Sequence, residues 1–140
     1  MQELITNDLE ALSKEISGKC RDILRWKKDD RFNIVLAEFD VDKLHIIFSE
    51  LKKYFINSWD ANTIKSSPEY IQLNSERYGR LHTDQIFCTT NSDNNTFIYC
   101  AIWPWSDGLT VSIRLAPYDK TIPEEELDKL REQFRGWFGL

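Results

Sequence analysis

The sequence predicts an α+β protein: one mainly antiparallel sheet of four or five strands, with helices packed on one of its faces. Three observations predict it. Two β-rich apolar runs flank Trp103-Pro104-Trp105-Ser106-Asp107-Gly108, apolar stripes at helical spacing occur near both ends of the chain, and a β-branched run leads directly into a third such stripe. At 140 residues the chain suits a single globular domain over 1–140, long enough to bury roughly 70% of its unfolded surface.

Leu9, Leu12, Ile16, Cys20, Ile23 and Leu24 recur three and four apart, predicting a helix over about 3–26. Gly18 weakens it by ~1 kcal/mol relative to alanine. A break there would free residues 20–26 to form a short strand paired through Lys27-Lys28-Asp29-Asp30. Residues 32–39 are short, β-branched and apolar on both sides, as in a strand covered on both faces. Asp40 and Asp42 then offer N-caps, and Leu44, Ile47, Phe48, Leu51 and Phe55 predict a helix over about 42–56.

The polar stretch 57–67 reads as the longest loop, anchored by Trp59 and Ile64. Residues 67–79 read two ways. Ser67-Pro68-Glu69 opens a helix and Gly79 closes it, but Ile71 and Leu73 alternate, which favours a short strand or irregular segment. Runs at 80–90, 96–103 and 109–116 form a C-terminal meander over about 80–116, with turns at 91–95 and at Asp107-Gly108. The last helix, about 122–137, starts at Thr121-Ile122-Pro123-Glu124, carries Leu127, Leu130, Phe134 and Trp137 on one stripe, and places Arg131 and Arg135 toward its positive-favouring end.

Register at the hairpin tip decides which way its aromatics face. A two-residue turn at Asp107-Gly108 pairs Ile102 with Ile113, so Ile98, Cys100 and Ile102 join Leu109, Val111, Ile113 and Leu115 on a core face. Phe97, Tyr99, Trp103 and Trp105 then share the opposite face with Thr110, Ser112 and Arg114. A five-residue loop from Pro104 to Gly108 instead pairs Trp103 with Leu109 and makes the rings ordinary core. Both registers fit the residues. In the preceding turn, a loop at 93–95 sets Cys88 opposite Cys100 as two small buried hydrophobes.

Charge and motifs exclude several function classes. The net charge of −5 comes with scattered lysines and arginines, so the concentrated basic face that a nucleic acid needs is missing, and the acidic surface suits a basic partner. The N-terminus lacks the pattern of a signal peptide, and no window approaches a membrane span. With cysteines only at 20, 88 and 100, neither a disulfide framework nor a zinc pattern emerges, which suits a cytoplasmic protein. His82, Asp84 and Cys88 alternate onto one side of a strand, yet six residues of extended chain put His82 roughly 20 Å from Cys88, too far for a nucleophile and its base. His45 and His82 have no ligand set around them, and the five glycines are too isolated for a phosphate loop. The residues imply no metal and no cofactor.

The reading is therefore a non-catalytic protein-binding module of the bacterial-type immunity, chaperone or adaptor kind. Its contact surface is the aromatic hairpin with an acidic rim: Phe97, Tyr99, Trp103, Trp105 and Arg114. An alternative is a small-molecule-binding or enzymatic domain with a pocket between sheet and helices, lined by Phe87, Tyr99 and Trp103, with Arg114 or His82 pointing into it. Either a monomer or a homodimer is compatible, the dimer using Ile5, Leu9, Leu12, Ile16 and Ile23 of the first helix.

Overall fold

The computed structural model describes residues 2–140, with side chains from Asp8 onward. Four α-helices, α1 (Gln2–Cys20), α2 (Leu44–Leu51), α3 (Glu69–Glu76) and α4 (Glu124–Trp137), accompany six strands. The strands are β1 (Lys27–Asp29), β2 (Ile34–Asp40), β3 (Asn57–Trp59), β4 (Ile86–Thr89), β5 (Thr96–Pro104) and β6 (Thr110–Asp119). They form one antiparallel sheet in the order β1-β2-β6-β5-β4-β3. The α+β class is as expected, with six strands in place of four or five.

The two additional strands, β1 and β3, sit at opposite edges and are three residues long. An edge strand needs backbone pairing more than apolar side chains, so Lys27-Lys28-Asp29 and Asn57-Ser58-Trp59 carry little strand signal. α1 stops at Cys20, where the Leu24 N–H bonds back to the Cys20 carbonyl at 2.8 Å and turns the chain. The break near Gly18 thus occurs, but the strand it releases begins at Lys27. Asn33, at φ 57°, takes the left-handed turn position between β1 and β2, a conformation asparagine tolerates.

α2 begins after a 3-10 turn at Val41–Lys43 and ends at Leu51, so that Phe55 can tuck into the core before β3. α4 follows its expected course. α3 replaces the strand or irregular segment favoured for 67–79. Its buried side is Ile71, Asn74 and Ser75, while Leu73 is 59% exposed, so the Ile71/Leu73 alternation never describes a burial pattern.

Helices cover both faces, which corrects the expectation of one. On the first face Val35, Ala37, Val111, Ile113, Leu115, Ile98, Cys100 and Cys88 pack under Leu9, Ile16, Ile47, Leu51, Leu127 and Phe134 from α1, α2 and α4. Burying each large aliphatic there contributes roughly 1.5–3 kcal/mol. On the second face Ile34, Phe87, Phe97, Tyr99 and Ala116 lie under Ile71 of α3, with Phe32, Trp59, Ile64, Tyr70, Tyr78 and Leu81 around them. The two covers meet through Glu124 on α4, which accepts hydrogen bonds from buried Arg131 at 2.9 Å and from Arg77, just past α3, at 3.2 Å. Leu9 and Ile16 of the proposed dimer stripe are spent on the sheet, Leu12 packs at its margin, and the side chain of Ile5 lies outside the described residues.

Candidate functional site: the tip of the β5–β6 hairpin

The register pairs Ile102 with Ile113 and Trp103 with Ser112, as the two-residue turn requires. The turn itself is wider. Trp105 donates its N–H to the Thr110 carbonyl at 2.7 Å, and its own carbonyl accepts the Gly108 N–H at 3.2 Å, leaving Ser106 to Leu109 as the loop. Adding one residue to each arm of a two-residue turn leaves every pairing unchanged, so the parity survives and the five-residue alternative is excluded.

Asp107 organises this loop. Its carboxylate accepts the N–H groups of Leu109 at 2.8 Å and Thr110 at 3.0 Å, and the Thr110 hydroxyl at 3.0 Å. Those backbone donors, Leu109 first, hold its carboxyl below the ordinary aspartate range. Gly108 takes φ 72°, where a β-carbon would be strained.

The rings on the second face divide by their distance from the tip. Phe97 and Tyr99 are 1% exposed. Tyr99 stacks on Phe87 with centroids 5.2 Å apart and hydrogen-bonds the Tyr78 hydroxyl; Phe97 packs against Tyr70 at 5.8 Å and Tyr118 at 5.6 Å. Neither can touch a partner, which corrects their assignment to the contact surface. Burial pushes the Tyr78 and Tyr99 hydroxyls up, away from ionisation.

Trp103 is half-buried, edge-on to Tyr78 at 5.6 Å, with the Arg114 guanidinium 4.8 Å from its ring centroid. Arg114 donates from Nε to Asp29 at 2.9 Å, and Asp29 also accepts the Arg31 N–H at 3.1 Å. This arginine is thus held between a ring and a carboxylate rather than presented to solvent. Trp105 is different: it is 45% exposed.

Two exposed apolar residues lie at the tip: Leu109, which the sequence reading placed on the core face and the structure leaves in solvent, and Val41, which it did not single out. Leu109 is 67% exposed and Val41 37%, and the Val41 N–H donates to the Leu109 carbonyl at 2.8 Å. The available signal was a leucine directly after Asp-Gly, which a turn forces outward. Asp40 pairs with Thr110 across the strands and lines a shallow hollow with Arg21, Arg25 and Lys43, while Asp107 belongs to the turn itself. Among the described residues no ion pair engages Asp40, Asp42, Asp107 or Lys43.

The other candidate chemistry does not assemble. Burial pushes the Cys20 thiol up to about 11 and the Cys88 thiol up to about 12, and raises Cys100 further from reactivity, so all three are protonated at neutral pH. Cys88 and Cys100 face each other across β4 and β5 as free thiols. His82 is exposed and its N–H donates to Gln85 Oε1 at 2.8 Å. It lines a surface hollow of about 590 Å³ with Lys65, Gln72 and Arg80; Phe87 and Tyr99 do not line that hollow, and their own surroundings are filled by rings. Among the described residues no group of three histidine, cysteine or acidic side chains could hold a metal ion, and no helix is long and apolar enough to cross a membrane. No protein-family model matches the chain, and neither a curated protein nor a solved structure does.

Proposed function

We propose that this chain is a non-catalytic, cytoplasmic protein-binding module of the immunity, chaperone or adaptor kind, which contacts its partner through the tip of the β5–β6 hairpin. The contact set is narrower than the one read from sequence. Trp105 is its apolar centre on the aromatic face of the hairpin, Leu109 and Val41 are exposed on the other face of the same end, and Trp103 with Arg114 packs on the strands behind it.

The observation that carries this reading is the exposure of Trp105 and Leu109 at the end of a well-paired hairpin. A large ring left in water on a rigid support is the kind of residue that dominates interface energetics, because its ordering cost is already met before binding. The filled second core favours this over a ligand pocket between sheet and helices, since Phe87 and Tyr99 occupy the space a ligand would need.

The test is affinity capture from the native lysate with the unaltered chain, with Trp105→Ala, and with Leu73→Ala as an exposed-leucine control on α3. Loss of the captured protein with Trp105→Ala alone supports the tip. Undiminished recovery with Trp105→Ala would reject it.

A further inference from the structure

We infer that residues 60–85 form a strap that lifts off the aromatic face as one unit while the sheet and its aliphatic core stay folded. The topology allows it. β3 and β4 are neighbours at one edge of the sheet, with Trp59 opposite Phe87, so the chain between them leaves and re-enters the sheet side by side. A segment anchored at adjacent ends can swing without breaking a strand pairing. Turns mark both roots: Asp60 Oδ1 accepts the N–H groups of Asn62 and Thr63, each at 2.9 Å, and the Gln85 N–H donates to the His82 carbonyl at 3.0 Å.

The strap satisfies itself. Gln72 donates to the Lys65 and Ser67 carbonyls at 3.2 and 2.9 Å, Ser67 to the Ile64 carbonyl at 2.6 Å, and buried Asn74 and Ser75 to the Tyr70 and Gln72 carbonyls at 2.7 and 3.3 Å. Among the described residues, the hydrogen bonds that tie it to the rest of the chain are Tyr70 to the Ser92 carbonyl at 3.2 Å, Arg77 to Glu124 at 3.2 Å, and the Tyr78 hydroxyl to that of Tyr99. The Arg77 bridge is partly in water, where such pairs contribute little.

Apolar anchoring is sparse as well. α4 sinks Leu127, Leu130 and Phe134 into the aliphatic core, whereas α3 sinks Ile71 and leaves Leu73 in solvent. The hollow beside His82 is lined by residues of the strap, so part of it spans space rather than resting on the sheet. Opening uncovers Phe97 and Tyr99, which lie in one alternating row with Trp103 and Trp105, and Phe87 beside them. The apolar surface then runs from the hairpin tip down the sheet. Whether the tip binds a partner does not enter this inference.

Consecutive residues of β5 supply the test, because they face opposite covers. Cys100, like Cys20 and Cys88, lies in the aliphatic core, while Ala101 is 1% exposed on the aromatic side. The Ala101→Cys chain is labelled with iodoacetamide in native buffer, and the label is located by peptide mass spectrometry. Hydrogen exchange of the unaltered chain, at increasing urea below the unfolding transition, gives a second reading that needs no substitution.

The introduced thiol should react about 100-fold faster than Cys100, and the α3 amides should share one opening whose urea dependence is above zero but below that of the β6 amides. Adding Ile71→Ala should speed labelling at position 101 by about thirtyfold. Adding Phe134→Leu, which loosens the other core, should speed Cys100 about tenfold and leave position 101 within about threefold. Labelling of positions 100 and 101 at one rate, or equal acceleration of both by Phe134→Leu, means that the two covers open only in global unfolding and overturns the strap. Exchange of α3 amides that ignores both urea and Ile71→Ala is fraying of single residues and also overturns it. So does fast labelling at position 101 while the α3 amides stay as protected as those of β6.

Discussion

On one face of the sheet, aliphatic residues such as Val35, Ile113 and Ile98 lie under three helices; on the other, Phe87, Phe97 and Tyr99 lie under one eight-residue helix and its flanking loops. Both faces end up dry, by different means. Aliphatic rows need a continuous cover, because each small side chain reaches only its immediate neighbours. Rings reach further, so Tyr78 alone touches Phe32, Tyr99 and Trp103, and a sparse cover is enough. The aromatic cover also runs out before the hairpin ends, leaving Trp103 half-covered and Trp105 in water. An exposed tip is thus what remains where the second layer stops.

The largest test of that comparison is Phe87→Ala. If the aromatic layer is core to the same degree as the aliphatic one, it should cost about 3–5 kcal/mol, matching Phe134→Ala beneath α4, in denaturant unfolding. A cost under about 1 kcal/mol would mean that the second cover is loose. Trp103→Ala, at the margin of the cover, should cost about 2 kcal/mol, between core and surface.

Tyr78→Phe sharpens the comparison because the hydroxyl-to-hydroxyl bond between Tyr78 and Tyr99 belongs to the aromatic side. It leaves the Tyr99 hydroxyl buried without its partner and should cost about 1–3 kcal/mol, whereas Tyr78→Phe/Tyr99→Phe removes both polar groups and should recover much of the loss. Two variants that simply add would sever that link.

Acid probes the seam between the two covers. Burial works to raise the Glu124 carboxyl, but hydrogen bonds and charge from Arg131, and then Arg77, outweigh it and hold the carboxyl below the ordinary glutamate value. The unfolded chain therefore binds the proton more readily. The stabilisation is present above the unfolded value and is lost as pH falls through the folded one. Because Glu124 is largely exposed, the loss should stay below about 1 kcal/mol, and Glu124→Gln should flatten it in acid titrations of stability. The smallest effect belongs to Trp105→Ala, expected within about 0.5 kcal/mol of the unaltered chain, so any binding defect it causes is not one of folding.

Much of the architecture was legible. The stripe Leu127, Leu130, Phe134 made α4 unambiguous, and of the two hairpin registers left open the structure adopts the parity of the Asp-Gly turn, with a longer loop around it. α3 was not legible, because two of its three buried positions are Asn74 and Ser75, whose side chains bond Tyr70 and Gln72 carbonyls and leave no apolar period to read. β1 and β3 were hidden by their polar edge composition. The site was legible in part: Trp105 as an outward ring followed from the register, while Phe97 and Tyr99 shared that register and were nevertheless covered.

Strand alternation was set by the sequence alone, being a local property of adjacent residues, but it left two registers for the hairpin, and the pairing of Ile102 with Ile113 in the folded sheet chose between them. Whether the second face meets water was decided only by the tertiary structure. That depends on residues 59–81 folding back over β4 and β5, a long-range packing in which Ile71, Ile64 and Tyr78 each find ring surface to bury, and no neighbouring residue in the chain encodes it.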